Sequence, residues 1–104
     1  METKRLYTSI SEALHPQKME KVLETKFHTL TITIYNRDEV YDQVGELLHS
    51  FADKISLRVG YPVPDQSISI IFIIVNATTD EIGALSGKLG QISSVKVKST
   101  TLKI

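Results

Sequence analysis

Cysteine is absent from this chain of 104 residues, which removes disulfides, thiolate metal ligands and thiol nucleophiles together. Net charge is absent as well: 12 Lys and Arg balance 12 Asp and Glu, so no overall field draws the chain to nucleic acid or anionic lipid. No direct nucleic-acid partner is expected. The longest unbroken apolar run, Ile70 to Val75, falls far short of the roughly 20 residues a membrane-spanning helix needs. The opening METKRLYTSISEALHP lacks the apolar segment of a signal peptide, and a cytoplasmic protein is the expectation. His15, His28 and His49 make no His-x-His or His-Glu-x-x-His spacing, so metal binding has no local signature. No glycine-rich phosphate loop is present, and nothing places a nucleophile on a strained elbow. The chain therefore reads as non-enzymatic, with no catalytic residue, metal or cofactor assigned.

What is present belongs to one small domain. Hydrophobic residues at 41% and charged residues at 23% are ordinary globular values that favour neither disorder nor a membrane protein. Residues 1–25 stand apart as an extension, partly helical or mobile. Pro16 stops any helix begun at Ser9, and Met19, Val22 and Leu23 form only a turn or two of apolar stripe. Residues 26–104 carry the regular pattern.

In Phe27 to Tyr35, Leu30, Ile32 and Ile34 alternate with Thr29, Thr31 and Thr33, the period-two signature of a strand with one apolar face. Asn36 and Glu39 have capping-box spacing, and Val40, Val44, Leu47, Leu48 and Phe51 follow as the apolar stripe of a first helix. A second strand, with Ile55, Leu57 and Val59 on one face, is expected to end at Gly60, where the proline-rich YPVPDQ loop begins. Ser67 to Val75 reads as a buried third strand. Thr78 and Glu81 suit a second capping box, Gly90 suits a left-handed helix stop, and the helix between them runs over 79–89. Val95 and Val97 alternate with Lys96 and Lys98 in a fourth strand.

The order strand, helix, strand, strand, helix, strand predicts an α+β, ferredoxin-like βαββαβ sandwich. In it, two helices cover one face of a four-stranded antiparallel sheet, with strands one and three central. On this reading Ile68, Ile70, Phe72 and Ile74 face the helices, and Ile71, Ile73 and Val75 point to the bare face beside Thr29, Thr31 and Thr33. Covering three aliphatic side chains is worth about 5 to 9 kcal/mol before association costs, so these six residues are the expected interface of a homo-oligomer, dimer or tetramer. RNA-binding modules of this topology carry stacking aromatics on the bare face. With Thr31, Thr33, Ile71 and Ile73 assigned there, no such platform is expected. Gly83, Ala84 and Gly87 suggest close approach to the second helix by the sheet or a partner helix, since interior glycine costs about 1 kcal/mol. Arg58, Tyr61, Lys96 and Lys98 are candidate contacts for an anionic effector near the Gly60 loop.

The segments GELLHSFADKISLRVGYPV and TTDEIGALSGKLGQISSVKVK resemble the family of iron-only hydrogenase system regulators over Lys26 to about Lys103. That family is similar in fold to ACT regulatory domains and to the ligand-binding half of nickel-responsive ribbon-helix-helix regulators. The resemblance implies a non-enzymatic, oligomeric regulatory or sensing domain of anaerobic hydrogen metabolism, binding a small effector or a protein partner. A DNA-associated repressor acting through a partner, and a structural subunit without ligand, are the alternatives. The nickel regulators' metal ligands are not carried over: His49 aligns with the first, but Tyr61, Val63 and Ser69 stand where the others would be. Amino-acid-binding ACT domains place a glycine in the first strand-to-helix turn. Asn36, Arg37 and Asp38 occupy it here.

Overall fold

The computed structural model describes residues 24–104. The expected extension over residues 1–25 lies outside the described residues, apart from Glu24 and Thr25, which lead into the first strand. The elements are β1 (Lys26–Ile34), α1 (Arg37–His49), a short 3-10 turn (Ala52–Lys54), β2 (Ile55–Pro62), β3 (Ser69–Ala77), α2 (Thr79–Gly90) and β4 (Val95–Thr101). All strand pairs are antiparallel in the order β2-β3-β1-β4. This is the ferredoxin-like βαββαβ arrangement, with β1 and β3 in the centre and both helices on one face.

The core follows from the alternation in β1. Leu30, Ile32 and Ile34 are fully buried, beneath Val40, Val44 and Leu48 of α1 and Ile82, Leu85 and Leu89 of α2. Antiparallel partners lie on the same face of a sheet, and Leu30 pairs with Ile73 and Ile32 with Ile71. Ile71, Ile73, Val75 and Ala77 therefore lie under the helices, each at most 1% exposed. Ile70, Phe72 and Ile74 pair with Thr33, Thr31 and Thr29 on the open face.

This inverts the expected faces of the third strand. Both of its faces are apolar from Ile70 to Val75, so alternation within that run has no phase, and a slip of one residue exchanges the faces. The missing phase lies just beyond it, where Asn76 is exposed and Ala77 is buried.

Other boundaries also depart from expectation: β3 itself runs over Ser69–Ala77 rather than Ser67 to Val75, which leaves Ile68 outside the strand. β2 continues through Tyr61 and Pro62 because it is an edge strand, where a residue without an N–H is tolerated. A bulge between Ile55 and Leu57 turns Ile55 toward the core while Leu57, Val59 and Tyr61 take the open face opposite Ile74, Phe72 and Ile70. An unbroken strand would have kept all four together. α2 runs through Gly90 without a left-handed residue and ends on Gln91 at φ −81°. At Asn36 the expected capping box does not form. The side-chain amide instead donates to Glu39 Oε1 at 2.8 Å, and no side chain caps the helix backbone there.

The second capping box is complete. Glu81 N–H donates to Thr78 Oγ1 at 3.1 Å and Thr78 N–H donates to Glu81 Oε1 at 2.9 Å, while Lys54 Nζ lies 3.5 Å from Glu81 Oε2. The Thr78 backbone hydrogen bond, helped by Lys54, holds the Glu81 carboxyl below its ordinary 4.5. A carboxyl lowered by folding adds stability above its unfolded value and loses it as pH falls through the folded one. Thr78→Ala is thus expected to cost about 0.5–2 kcal/mol at neutral pH. The gap to the unsubstituted protein in urea melts should narrow as pH is taken below 4.5.

Candidate functional site

Two surfaces stand out. The first is the open face of the sheet, which no helix among the described residues covers. Its β2–β3 half is apolar: Ile70, Phe72 and Ile74 are half-buried, and Leu57, Val59 and Tyr61 are 44%, 49% and 56% exposed. Its β1–β4 half is polar, with Thr29, Thr31 and Thr33 opposite Thr100, Lys98 and Lys96. Phe27 shares the face at the far end of β1 by the same alternation. The three threonines thus sit where expected, whereas Ile71, Ile73 and Val75 belong to the core. Phe72, rather than Ile71 or Ile73, stands at the centre of this face, flanked by aliphatics.

The strand order also separates the four residues expected to gather around an anion. β2 and β4 are opposite edges of the sheet, three strand spacings or about 14 Å apart. Arg58, opposite Ile73, lies on the helix side. Tyr61 lies on the open side at one edge, and Lys96 and Lys98 on the open side at the other. The four form no common site. Lys96 Nζ instead lies 5.8 Å from the centre of the Tyr35 ring, a distance at which a cation–π attraction operates.

The second surface is a cleft of about 340 Å³ on the helix side, lined by Arg37, Tyr41, Gly60, Tyr61, Pro62, Ser69 and Ile71. It lies between the start of α1, the end of β2 and the start of β3. Arg37 and Tyr41, one helical turn apart, share a flank of α1. The helix start is anchored because Arg37 N–H donates to Ser67 O at 2.9 Å, tying it to the β2–β3 turn. Ser69 is only 3% exposed. The Arg37 side chain is half-buried, and its Nη1 atom is buried with no hydrogen-bond partner. A guanidinium keeps its charge at any physiological pH, and a buried donor left unpaired costs about 1–3 kcal/mol, more when charged. None of the lining residues is acidic, so among the described residues the cleft presents a positive charge without a counter-ion.

Two further features bear on chemistry. His28, expected only to be remote from other metal ligands, is buried at 1% exposure. Its Nε2 donates to Ala77 O at 3.1 Å, and its Nδ1 lies 3.0 Å from Thr101 Oγ1. Its place in the alternation with Leu30, Ile32 and Ile34 was the signal for that burial. Among the described residues no three of His, Cys, Asp and Glu are grouped to hold a metal, and no helix is long and apolar enough to cross a membrane. Gly83 and Gly87 meet no neighbouring element: beyond the adjacent residues and the helix's own backbone, a Cβ on either would have no atom within 4 Å. They lie on the solvent side of α2, so the close approach of the sheet expected from them does not occur.

Comparison with known proteins places this architecture. Residues 26–99 match the model of the TM1266-like family, "Iron-only hydrogenase system regulator, putative". The chain is similar to the uncharacterized protein TM1266 from Thermotoga maritima, with 54% identity and a TM-score of 0.74, over 77% of this chain and all of that one. It is also similar in fold to the ACT domain from the GTP pyrophosphokinase of Chlorobium tepidum. There the identity is 18% and the TM-score 0.64, over 74% of this chain and all of that domain. No curated protein matches.

Proposed function

We propose, from the premise that this chain belongs to the TM1266-like family of iron-only hydrogenase system regulators, that it is a non-enzymatic cytoplasmic regulatory domain. It works as a homo-oligomer whose subunits pack through the open face of the sheet. The observation that carries this reading is the apolar half of that face, where Leu57, Val59 and Tyr61 lie exposed around Phe72. Single exposed apolar residues are ordinary on a soluble protein, but a contiguous group marks a contact surface.

A second copy is the occupant the face fits. Strand spacing and rise give it an area on the order of 500 Å², so two copies would bury on the order of 1,000 Å² in total, near the lower limit of specific interfaces. Side-by-side joining at β2 is disfavoured, because Pro62 offers no N–H and the bulge at Ile55 breaks the ladder. In a regulator, such packing lets a change in one subunit reach the next.

Sedimentation velocity at micromolar concentration tests this. The protein should run as a dimer or larger. Phe72→Asp, which puts a charge at the centre of the face without entering the core, should weaken association by more than about thirtyfold, the scale of a hot-spot residue. Circular dichroism should be unchanged. A monomer at these concentrations in the unsubstituted protein would sink the proposal.

A further inference from the structure

The geometry points to the Arg37 cleft as a binding site for a small organic monocarboxylate, with the guanidinium as its anion receptor. The inference rests on the regulatory reading above and supplies the chemical class of the effector.

Three observations converge on it. Arg37 Nη1 is buried without a hydrogen-bond partner, although a native protein satisfies nearly all such atoms. No carboxylate answers it among the described residues. Glu39, two residues on, is held by Asn36 at 2.8 Å, and no acidic oxygen approaches Arg37 within salt-bridge distance among the described residues. The receptor is also positioned in advance, since the Arg37 backbone is tied to Ser67 O and its stem emerges from the first turn of α1.

The remaining walls select the ligand. A guanidinium presents a planar fork that fits the two oxygens of a carboxylate. Tyr41 supplies a ring and Pro62 and Ile71 apolar side chains for the body of the molecule, with the Tyr41 hydroxyl able to bond a substituent. One cation and no second basic residue in the lining favour a single negative charge over a phosphate ester or a dicarboxylate. The volume, about 340 Å³, is at the small end of ligand pockets. This mode differs from recognition by a glycine in the first strand-to-helix turn, because the receptor is a side chain and its charge is permanent.

The test uses the full chain, isotopically labelled, titrated with a panel of short aliphatic and aromatic monocarboxylates. Their primary amides and inorganic phosphate serve as comparators. Saturable shifts are expected for at least one carboxylate in the amides of Arg37, Tyr41, Gly60 and Ser69 and in the Arg37 side-chain N–H signal, with the matching primary amide binding at least about tenfold more weakly. Arg37→Gln should lose at least about tenfold in affinity, and Arg37→Lys, which keeps the charge without the fork, should also weaken binding. The side-chain signal of the unsubstituted protein gives an answer even if neither variant folds. The assignment is overturned if no carboxylate saturates at millimolar concentration, if the shifts map elsewhere, or if phosphate binds as well as the carboxylates. Sedimentation of the same samples separates the two ideas. A dimer that ignores every carboxylate refutes the cleft alone, and a monomer that binds one refutes the packing alone.

Discussion

Ile73→Ala is expected to cost about 2–5 kcal/mol of folding stability, whereas Phe72→Ala, its neighbour in the chain, should cost a fraction of that in the isolated subunit. Ile73 is fully buried, between Leu30 on one side and Arg58 on the other in the pairing, within the apolar core to which both helices contribute. Truncation there leaves a void in a tightly packed layer. Since small domains are stable by only about 5–15 kcal/mol, the loss would be a large fraction of the total. Phe72 is half-buried on the open face and can be cut back into solvent. The two also differ in concentration dependence. An interface residue acts through mass action, so the effect of Phe72→Ala should grow with protein concentration in urea melts, while that of Ile73→Ala should not. The opposite pattern would mean that the strand lies the other way up.

His28→Leu is the second substitution expected to matter, at about 1–3 kcal/mol. A carbonyl only accepts, so the bond to Ala77 O places a proton on Nε2, and the ring joins the end of β3 to Thr101 near the end of β4. Leucine has similar bulk but leaves the Ala77 carbonyl and the Thr101 hydroxyl without their partner, one of them in a dry site. Thr101→Val breaks only the less buried bond and should cost less. Amide exchange would localise the change. Leu102 N–H donates to Phe27 O at 2.8 Å, and its protection should fall in His28→Leu before that of Ile32 or Ile73 does. Equal protection throughout would mean that the ring merely fills space.

These two residues also mark how far the sequence could be read. The order of elements was legible because β1, both helices and β4 each show one apolar face with an unambiguous period, and because Thr78 and Glu81 announce a helix start that forms as expected. The face of β3 was not, since six successive apolar residues carry no alternation and only pairing with β1 chooses between the two arrangements. Extending the pattern to Asn76 and Ala77 would have supplied the phase. The expected cluster of Arg58, Tyr61, Lys96 and Lys98 conflicts with the ferredoxin-like order itself, which puts their two strands on opposite edges. Arg37 is different in kind. Whether a guanidinium nitrogen ends up buried and unpaired depends on where the β2–β3 turn meets the start of α1, and no spacing in the chain records that.

The pairing of His28 with Thr101 bears on how the protein comes into being on the ribosome. β1 is made early, yet one of its two neighbours in the sheet is made 73 residues later. β2 and β3, joined by a short turn, can pair as soon as both have emerged, and β3 can then recruit β1. The flank of β1 destined for β4 stays uncovered until residue 101 has been synthesised and cleared the exit tunnel. During that interval the nascent chain offers a strand edge to any neighbour, and the fold becomes self-contained only with its final strand.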